Sequence, residues 1–238
     1  MSGARDASWI RPGDAGLYVA PADCWIDPGA PVERALVTHG HGDHARGGHD
    51  RVFATPETLA IMGLRYGEAK EQVAVSYGGT VDLPGGVSAT FMPAGHVLGS
   101  AQILLRYTGE RVVVTGDYKR RADPTCAPFT PVPCDVLVTE ATFGLPVFVH
   151  PPIEGEIARL LHARALHPDR CILVGAYALG KAQRVIAELR RAGHDETIWL
   201  HGALERMCRL YEEHGVPLGP LGLVMETTKD ALRGGIVL

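Results

Sequence analysis

The sequence predicts an α/β protein composed of two modules. Aliphatic runs of strand length occur four times in the first 140 residues, at positions 35–38, 102–105, 112–115 and 136–139. From about residue 150, apolar residues at 3.6-residue spacing alternate with short strand candidates. A series of strands followed by alternating helices and strands indicates an α/β fold with a second α/β module.

The two modules meet where the chain becomes rich in turn residues. Gly144-Leu145-Pro146 and Pro151-Pro152 interrupt the strand pattern. The pattern then predicts three helices, from residue 157 onward and over residues 182–192 and 204–213, and two strands, over residues 171–174 and 197–200. We therefore predict one domain over residues 1–148 and a second domain over residues 149–238.

Composition excludes several classes of protein. With 238 residues, 46% hydrophobic residues and a formal charge of −4, the chain can bury a core and is not disordered. It contains no apolar stretch of about 18 residues, and its N-terminal segment lacks the apolar region of a secretory signal. The five cysteines form no C-x-x-C pair, which favours reduced thiols. We therefore expect a cytoplasmic protein without a membrane partner.

The most informative segment is Thr38-His39-Gly40-His41-Gly42-Asp43-His44, which follows an aliphatic strand. Imidazole and carboxylate groups are ligands that hold zinc and similar divalent ions in proteins. The glycines permit a compact loop in which His39 and His41 face one ion and Asp43 and His44 face a second. Isolated histidines are usually surface or hydrogen-bonded core residues, but four ligand-type residues within six positions favour a metal site.

Three more polar residues lie at predicted strand ends and could complete this site. His96 follows Gly95 after an apolar stretch, and Asp117 follows the strand at 112–115. The two oxygens of Asp117 could bridge two ions, which lie roughly 3.5–4 Å apart in two-metal sites. Asp27 is interpreted as a residue that orients the histidine segment and does not bind metal. Taken alone, His96 and Asp27 could equally be turn residues, but their placement at strand ends favours the metal interpretation.

Together these residues resemble the metallo-β-lactamase fold. His39-Gly40-His41-Gly42-Asp43-His44 matches the H-x-H-x-D-H signature of that fold, and the other candidates fall in the order of its remaining motifs. The resemblance implies an αββα sandwich for the first domain. It also implies two divalent ions, zinc or alternatively manganese, which would be held by His39, His41, Asp43, His44, His96 and Asp117.

Three further segments resemble the nuclease branch of this fold that carries a β-CASP insert, most closely the bacterial DNA-ligase-associated exonuclease group. They are Thr139-Glu140-Ala141-Thr142-Phe143-Gly144, Gly116-Asp117-Tyr118-Lys119 and Ala176-Tyr177-Ala178-Leu179-Gly180-Lys181-Ala182-Gln183. The resemblance implies a β-CASP-type α/β insert over residues 149–238. It also implies that Glu140 is catalytic and orients the general acid, and that Gly180, Lys181 and Gln183 bind substrate.

The last of these segments has a second interpretation that we reject. Gly175-x-x-x-x-Gly180-Lys181 is one residue short of a P-loop, because Ala182 replaces the Ser or Thr that binds Mg²⁺. A helix N-terminus beside a lysine still suits a nucleic-acid phosphate, although a simple glycine turn with a solvent-facing lysine is the alternative. Residues 159–191 contain seven basic and two acidic side chains, which favours nucleic acid binding over a solvated helix face.

The resemblance implies metal-dependent hydrolysis of nucleic acid, with DNA preferred over RNA, by an exonuclease that acts in DNA repair. Asp43 would orient the attacking water and accept its proton, and a DNA ligase becomes a candidate partner. The family pattern requires two later histidines that no segment before Leu238 resembles, so we expect the chain to be C-terminally incomplete and poorly active by itself. The alternatives are an RNA-processing nuclease of the same branch, a lactonase or thioesterase of the same fold, and an inactive nucleic-acid-binding protein.

Overall fold

The computed structural model describes residues 7–238 as two compact units. The first unit ends at Glu140, and the second comprises Ala141–Leu238. This boundary precedes the predicted one, which follows residue 148, so the segment between them packs with the second unit. The division into domains over residues 1–148 and 149–238 stays a prediction.

The first unit begins with a six-stranded sheet whose strands are adjacent in chain order. The strands are β1 (Ile10–Gly13), β2 (Gly16–Val19), β3 (Cys24–Ile26), β4 (Arg34–Leu36), β5 (Arg51–Ala54) and β6 (Glu71–Ala74). The pairs from β1 to β3 are antiparallel, and those from β3 to β6 are parallel. One helix, α1 (Pro56–Tyr66), connects β5 to β6.

A second sheet follows, with five strands in the order β11-β10-β9-β8-β7. The strands are β7 (Thr80–Asp82), β8 (Ser88–Pro93), β9 (Ala101–Tyr107), β10 (Glu110–Val114) and β11 (Val136–Val138). Neighbouring strands are antiparallel except for the parallel pair of β10 and β11. All four strands predicted in this part of the chain are therefore present, at β4, β9, β10 and β11.

The two sheets pack face to face over one hydrophobic core. Leu36 and Phe53 of the first sheet join Phe91 and Ile103 of the second sheet in a single buried cluster. Alternate residues of a strand point to opposite faces, so Val37 and Val52 lie on the other face of the first sheet, beneath α1. The layers are helix, sheet and sheet, with α1 as the one α-helix among residues 7–140. The predicted α/β fold class is confirmed.

Helix α1 is an element that the strand pattern of this region did not predict. Its start is defined locally, because the Thr55 side chain accepts a hydrogen bond from the Thr58 amide and Pro56 occupies the first turn. Leu59 and Met62 are buried against the sheet. The sequence does contain a signal for this helix, because Thr55-Pro56 is typical of a helix start and apolar residues follow at helical spacing.

The second unit is a parallel four-stranded sheet with three helices. Its strands are β12 (Ile172–Leu173), β13 (Ile198–Leu200), β14 (Leu221–Leu223) and β15 (Ile236–Val237), in the order β12-β15-β13-β14. Its helices are α2 (Ile153–Leu166), α3 (Lys181–Arg191) and α4 (Gly202–Glu213). The three predicted helices and two predicted strands of this part are present. The apolar positions of α3 and α4 form their buried faces, whereas α2 buries Ile157 alone.

Two further expectations concern the helices and the cysteines. None of the helices formed by residues 7–238 is long and apolar enough to cross a membrane. All five cysteines are free thiols, as the absence of a C-x-x-C pair predicted.

Candidate metal centre

The polar residues at strand ends meet at one edge of the first unit. β8 and β10 both pair antiparallel with β9 and therefore run in the same direction, so their carboxyl ends lie at the same edge of the sheet. His96 follows β8 and Asp117 follows β10. The segment after β4 reaches the same edge, because the amide of Ala101 donates a hydrogen bond to the Thr38 carbonyl at 2.8 Å.

Four side chains converge at this edge. His41 Nδ1 lies 3.0 Å from His39 Nε2 and 3.1 Å from His96 Nε2. Asp117 Oδ2 lies 3.6 Å from His96 Nε2 and 3.9 Å from His39 Nε2. One donor atom from each residue lies within 4.8 Å of the other three. A tetrahedral zinc site with ligand bonds of about 2.0–2.1 Å requires donors about 3.3 Å apart, so this donor set fits a divalent ion.

Two of the imidazoles are held in the neutral form. His39 is fully buried, and this burial, with the nearby His44 charge, lowers its pKa well below the usual value. Burial, reinforced by His41, lowers the pKa of His96 to about 4. Because a histidine must be neutral to bind a metal ion, both rings are ready to act as ligands near neutral pH.

His44 lies beside this cluster and behaves differently. Burial disfavours its charged form, but hydrogen bonds to Asp117 and Asp27 outweigh that effect and raise its pKa to about 10. The hydrogen bond from His44 in turn lowers the pKa of Asp117. His44 Nε2 lies 3.4 Å from Asp117 Oδ1 and 3.8 Å from Asp43 Oδ2, and the Asp43 side chain is 78% exposed. A second ion at Asp43, His44 and Asp117 stays a prediction.

Asp27 lies behind the histidine segment and contacts its first residue. Its Oδ1 accepts a hydrogen bond from the Thr38 amide at 2.7 Å, and its Oδ2 accepts one from Thr38 Oγ1 at 2.6 Å. His44 Nδ1 lies 2.8 Å from the same Oδ2. The Asp27 backbone has a φ of 46°, which is uncommon for a residue other than glycine. This arrangement aligns the start of the segment with the ring of His44.

Glu140 follows β11 at the end of the first unit. Its charge acts on His96 and partly opposes the lowering of the His96 pKa. The carboxylate is therefore in the electrostatic surroundings of the cluster. A catalytic role for Glu140 stays a prediction.

Two of the predicted substrate-binding residues lie at the start of α3 in the second unit, Gly180 in the turn before the helix and Gln183 in its first turn. Gln183 is fully buried. Its Oε1 accepts a hydrogen bond from the Gly180 amide at 2.8 Å, and its Nε2 donates to the Ala178 carbonyl at 2.9 Å. The same Nε2 lies 3.3 Å from Cys208 Sγ. Gln183 therefore supports the turn from inside the unit, and direct contact of its amide with a substrate stays a prediction.

Lys181 and Tyr177 form the surface of the same turn. Lys181 Nζ lies 4.5 Å from the centre of the Tyr177 ring, and Tyr177 is 71% exposed. Tyr177 was not among the residues predicted to bind substrate, although an aromatic residue between Gly175 and Lys181 is a usable signal for base stacking.

Most of the basic side chains between residues 159 and 191 have partners within the second unit. These partners include the ion pairs Arg159–Glu156, Arg164–Glu196 and Arg191–Glu188 and the bonds from Arg190 to backbone carbonyls. Three of the seven positive charges counted in the sequence are therefore paired with a carboxylate of the same unit. Lys181 is the cation of this segment whose place at a helix start suits a phosphate.

These features define a class of protein. The family model of the metallo-beta-lactamase superfamily matches residues 14–175, and the chain belongs to this superfamily. The fold family predicted from the histidine motif is confirmed.

Curated relatives process nucleic acids according to their names. The chain is 31% identical over 228 residues to a probable DNA ligase of Opitutus terrae, in an alignment that covers 94% of this chain and 22% of the relative. It is 37% identical over 117 residues to endoribonuclease YSH1 of Saccharomyces cerevisiae, covering 47% of this chain and 14% of the relative. It is 28% identical over 242 residues to cleavage and polyadenylation specificity factor subunit 3 of Dictyostelium discoideum, covering 84% of this chain and 31% of the relative. The chain thus spans less than a third of each of these relatives.

A solved structure shares the fold. A crystal structure of a protein of unknown function from Enterococcus faecalis V583 superposes with a TM-score of 0.54 at 14% sequence identity, covering 86% of this chain and 54% of that chain. At this identity the similarity supports the fold. The relatives described above confirm the resemblance, predicted from the sequence, to nucleic-acid-processing members of the superfamily.

Proposed function

We propose that this chain carries a site for divalent-metal-dependent hydrolysis of phosphodiester bonds in nucleic acid. The observation that carries the proposal is the convergence of His39, His41, His96 and Asp117 in a member of this superfamily. The donor set suits zinc, with manganese as the alternative. The relatives' names supply the substrate class, because each of them refers to the joining or cleavage of nucleic acid.

In the proposed hydrolysis, bound metal ions and side chains of the protein have separate roles. Divalent ions at such a site polarise the phosphodiester and lower the pKa of a nearby water molecule. Asp43 is exposed beside His44, so its carboxylate can orient the attacking water and accept a proton. His44 is held in place by Asp27. Glu140, whose charge acts on His96, is the second proposed catalytic carboxylate.

The turn before α3 supplies the contacts to the substrate in this proposal. A helix N-terminus suits a phosphate, and the ammonium of Lys181 adds a positive charge beside it. The Ala182 amide already donates a hydrogen bond to the Tyr177 carbonyl at 3.1 Å and is not among the proposed donors. The exposed ring of Tyr177 offers a surface on which a base can stack. Gly180 and Gln183 fix the shape of the turn.

DNA is the preferred substrate in this proposal, and the reaction is exonucleolytic and serves DNA repair. The support is the probable DNA ligase of Opitutus terrae, which aligns with 94% of this chain. It also makes a DNA ligase the proposed partner. The free cysteines fit a cytoplasmic location. RNA processing is the second candidate, which the endoribonuclease relatives favour.

A comparison of three substrates tests this proposal. The purified protein, supplied with Mn²⁺ or Zn²⁺, is incubated with end-labelled single-stranded DNA, RNA of the same sequence, and a lactone. We expect DNA to be shortened stepwise and faster than RNA, with activity lost in His96→Ala and retained in the exposed control His162→Ala. Faster cleavage of RNA would overturn the preference for DNA. Hydrolysis of the lactone with both nucleic acids intact would overturn the nuclease proposal.

A further inference from the structure

Helix α1 contacts both of the loops that carry the clustered histidines. We define the histidine loop as residues 39–44 and the His96 loop as residues 94–100. At the start of the helix, Thr55 Oγ1 and Thr58 Oγ1 donate hydrogen bonds to the Gly99 carbonyl at 2.7 and 3.0 Å. Both threonines are buried. The His96 loop is therefore attached to the first turn of α1.

The other end of the helix holds the histidine loop. Arg65, in the last turn of α1, donates a hydrogen bond from Nη1 to the Gly40 carbonyl at 2.8 Å. Gly40 also lies directly against Ile61, because a Cβ at this position would be 2.5 Å from Ile61 Cγ2. A Cβ on Gly42 would lie 3.3 Å from the Tyr66 hydroxyl. The residues on either side of His41 thus follow the surface of the last turns of α1.

The His96 loop is itself firmly built. Ser100 Oγ accepts hydrogen bonds from the amides of His96 and Val97 at 3.0 and 3.1 Å. Gly99 has a φ of +76°, and a Cβ there would lie 2.7 Å from the Thr58 amide. A side chain at this position would therefore push the loop away from α1. An α-helix has a fixed rise per residue, so two loops attached to its ends are held at a fixed separation.

We propose that helix α1 sets the distance between His41 and His96, and that Arg65 is the residue that positions the histidine loop for metal binding. Arg65 acts through the Gly40 carbonyl and is not a ligand. Apart from this hydrogen bond the residue is exposed, so its replacement leaves the core intact. The inference concerns metal binding alone and does not depend on which substrate is cleaved.

Variants at Arg65 test this role. Arg65→Met removes the donor and keeps the aliphatic stem, whereas Arg65→Lys keeps a donor and a charge. Arg106→Met is the matched control, because Arg106 is also exposed and donates one hydrogen bond, to Thr90 Oγ1 at 3.1 Å. For each protein, Zn²⁺ affinity is measured by competition with a chromophoric chelator, and the visible absorption spectrum is recorded with Co²⁺. Thermal unfolding of the metal-free protein is measured in parallel.

We expect Arg65→Met to weaken Zn²⁺ binding by about 10–100-fold, the range typical when an outer hydrogen bond to a metal site is lost. Its Co²⁺ spectrum should change while the unfolding temperature without metal stays within the range of the control. Arg65→Lys should recover part of the affinity. Thr58→Val, which removes one bond to Gly99 at the other end of α1, should shift affinity and spectrum in the same direction.

Two outcomes would overturn the inference. The first is Zn²⁺ affinity and a Co²⁺ spectrum in Arg65→Met equal to those of the unsubstituted protein. The second is a lower unfolding temperature without metal, combined with an unchanged Co²⁺ spectrum of the folded fraction, which indicates a merely structural role. Failure of the unsubstituted protein to bind Zn²⁺ would instead remove the metal site, and with it both this inference and the proposed function.

Discussion

His44 Nδ1 lies 2.8 Å from Asp27 Oδ2, and the same carboxylate binds both the amide and the hydroxyl of Thr38. One half-buried acid therefore fixes both ends of the histidine segment. An acid that accepts the second ring N–H of a histidine also determines which nitrogen faces a metal ion. In this case the nitrogen facing Asp117 is Nε2.

Replacing Asp27 should weaken metal binding. In Asp27→Asn the acceptor charge next to His44 is lost, although the side chain keeps its size. We expect divalent-ion affinity to fall by about 10–100-fold, measured by chelator competition. Asp23→Asn is the control, because Asp23 has the same φ of 46° and its carboxylate contacts the Tyr18 hydroxyl at 2.8 Å. Equal affinities of the two variants would show that Asp27 does not support the site.

Lys181 should contribute to nucleic acid binding through a phosphate. Because each neutralised phosphate releases counterions, Lys181→Ala should reduce the slope of log affinity against log salt by about 0.7 for a single strand. The affinity should fall to a similar degree for all sequences. Fluorescence anisotropy with a labelled oligonucleotide measures both quantities. Lys229→Ala is the exposed control, and a slope unchanged in Lys181→Ala would contradict the phosphate contact.

Arg190 should stabilise the second unit. Its guanidinium donates to four backbone carbonyls, those of Leu218, His194, Glu196 and Pro220, at 2.6–2.8 Å. Lysine cannot reach four acceptors in a plane, so Arg190→Lys should lower the opening free energy of α3 and α4 by about 2–3 kcal/mol. Hydrogen exchange measures this quantity. The control is Arg209→Lys, in an exposed pair with Glu205, which should change this opening free energy by less than about 0.5 kcal/mol. A similar loss in both variants would show that Arg190 has no special stabilising role.

His49 should make folding stability depend on pH. Burial lowers its pKa below the usual 6.5, its Nδ1 accepts a hydrogen bond from the Val32 amide at 3.2 Å, and its buried Nε2 has no partner among residues 7–238. Below pH 6.5 the unfolded chain takes up a proton that the folded chain resists, so stability falls as pH falls.

His49→Asn places an uncharged acceptor near the same amide. We expect urea unfolding of this variant to depend less on pH between 7 and 5.5 than that of the unsubstituted protein. The exposed control His214→Asn should keep the original dependence. If His49→Asn kept the full pH dependence, the loss of stability at low pH would have to arise from other residues than His49.

The sequence was most informative where ligand-type residues directly follow strands. His96 and Asp117 lie together because β8 and β10 run in the same direction and end at the same edge of the second sheet. His39 comes from the first sheet, at the end of β4, and reaches this edge through the hydrogen bond of Thr38 to Ala101. Neither spacing nor composition could predict that Arg65 reaches Gly40, because that contact depends on how α1 packs across the sheet.

The second unit shows where sequence patterns are insufficient. Gln183 lies at a helix start, where its side chain could turn either outward or back onto the Gly180 amide, and the structure selects the second. The basic residues of this unit were counted as available charge, but Arg164 pairs with Glu196, which lies 32 positions away. Partners at that distance along the chain are set by tertiary packing.

X-ray diffraction from crystals grown with Zn²⁺, recorded on both sides of the zinc absorption edge, tests the central claim most directly. We predict an anomalous peak about 2.0–2.2 Å from His39 Nε2, His41 Nδ1, His96 Nε2 and an oxygen of Asp117. A map with no peak between these four side chains, or with zinc bound only at other residues, would contradict the account.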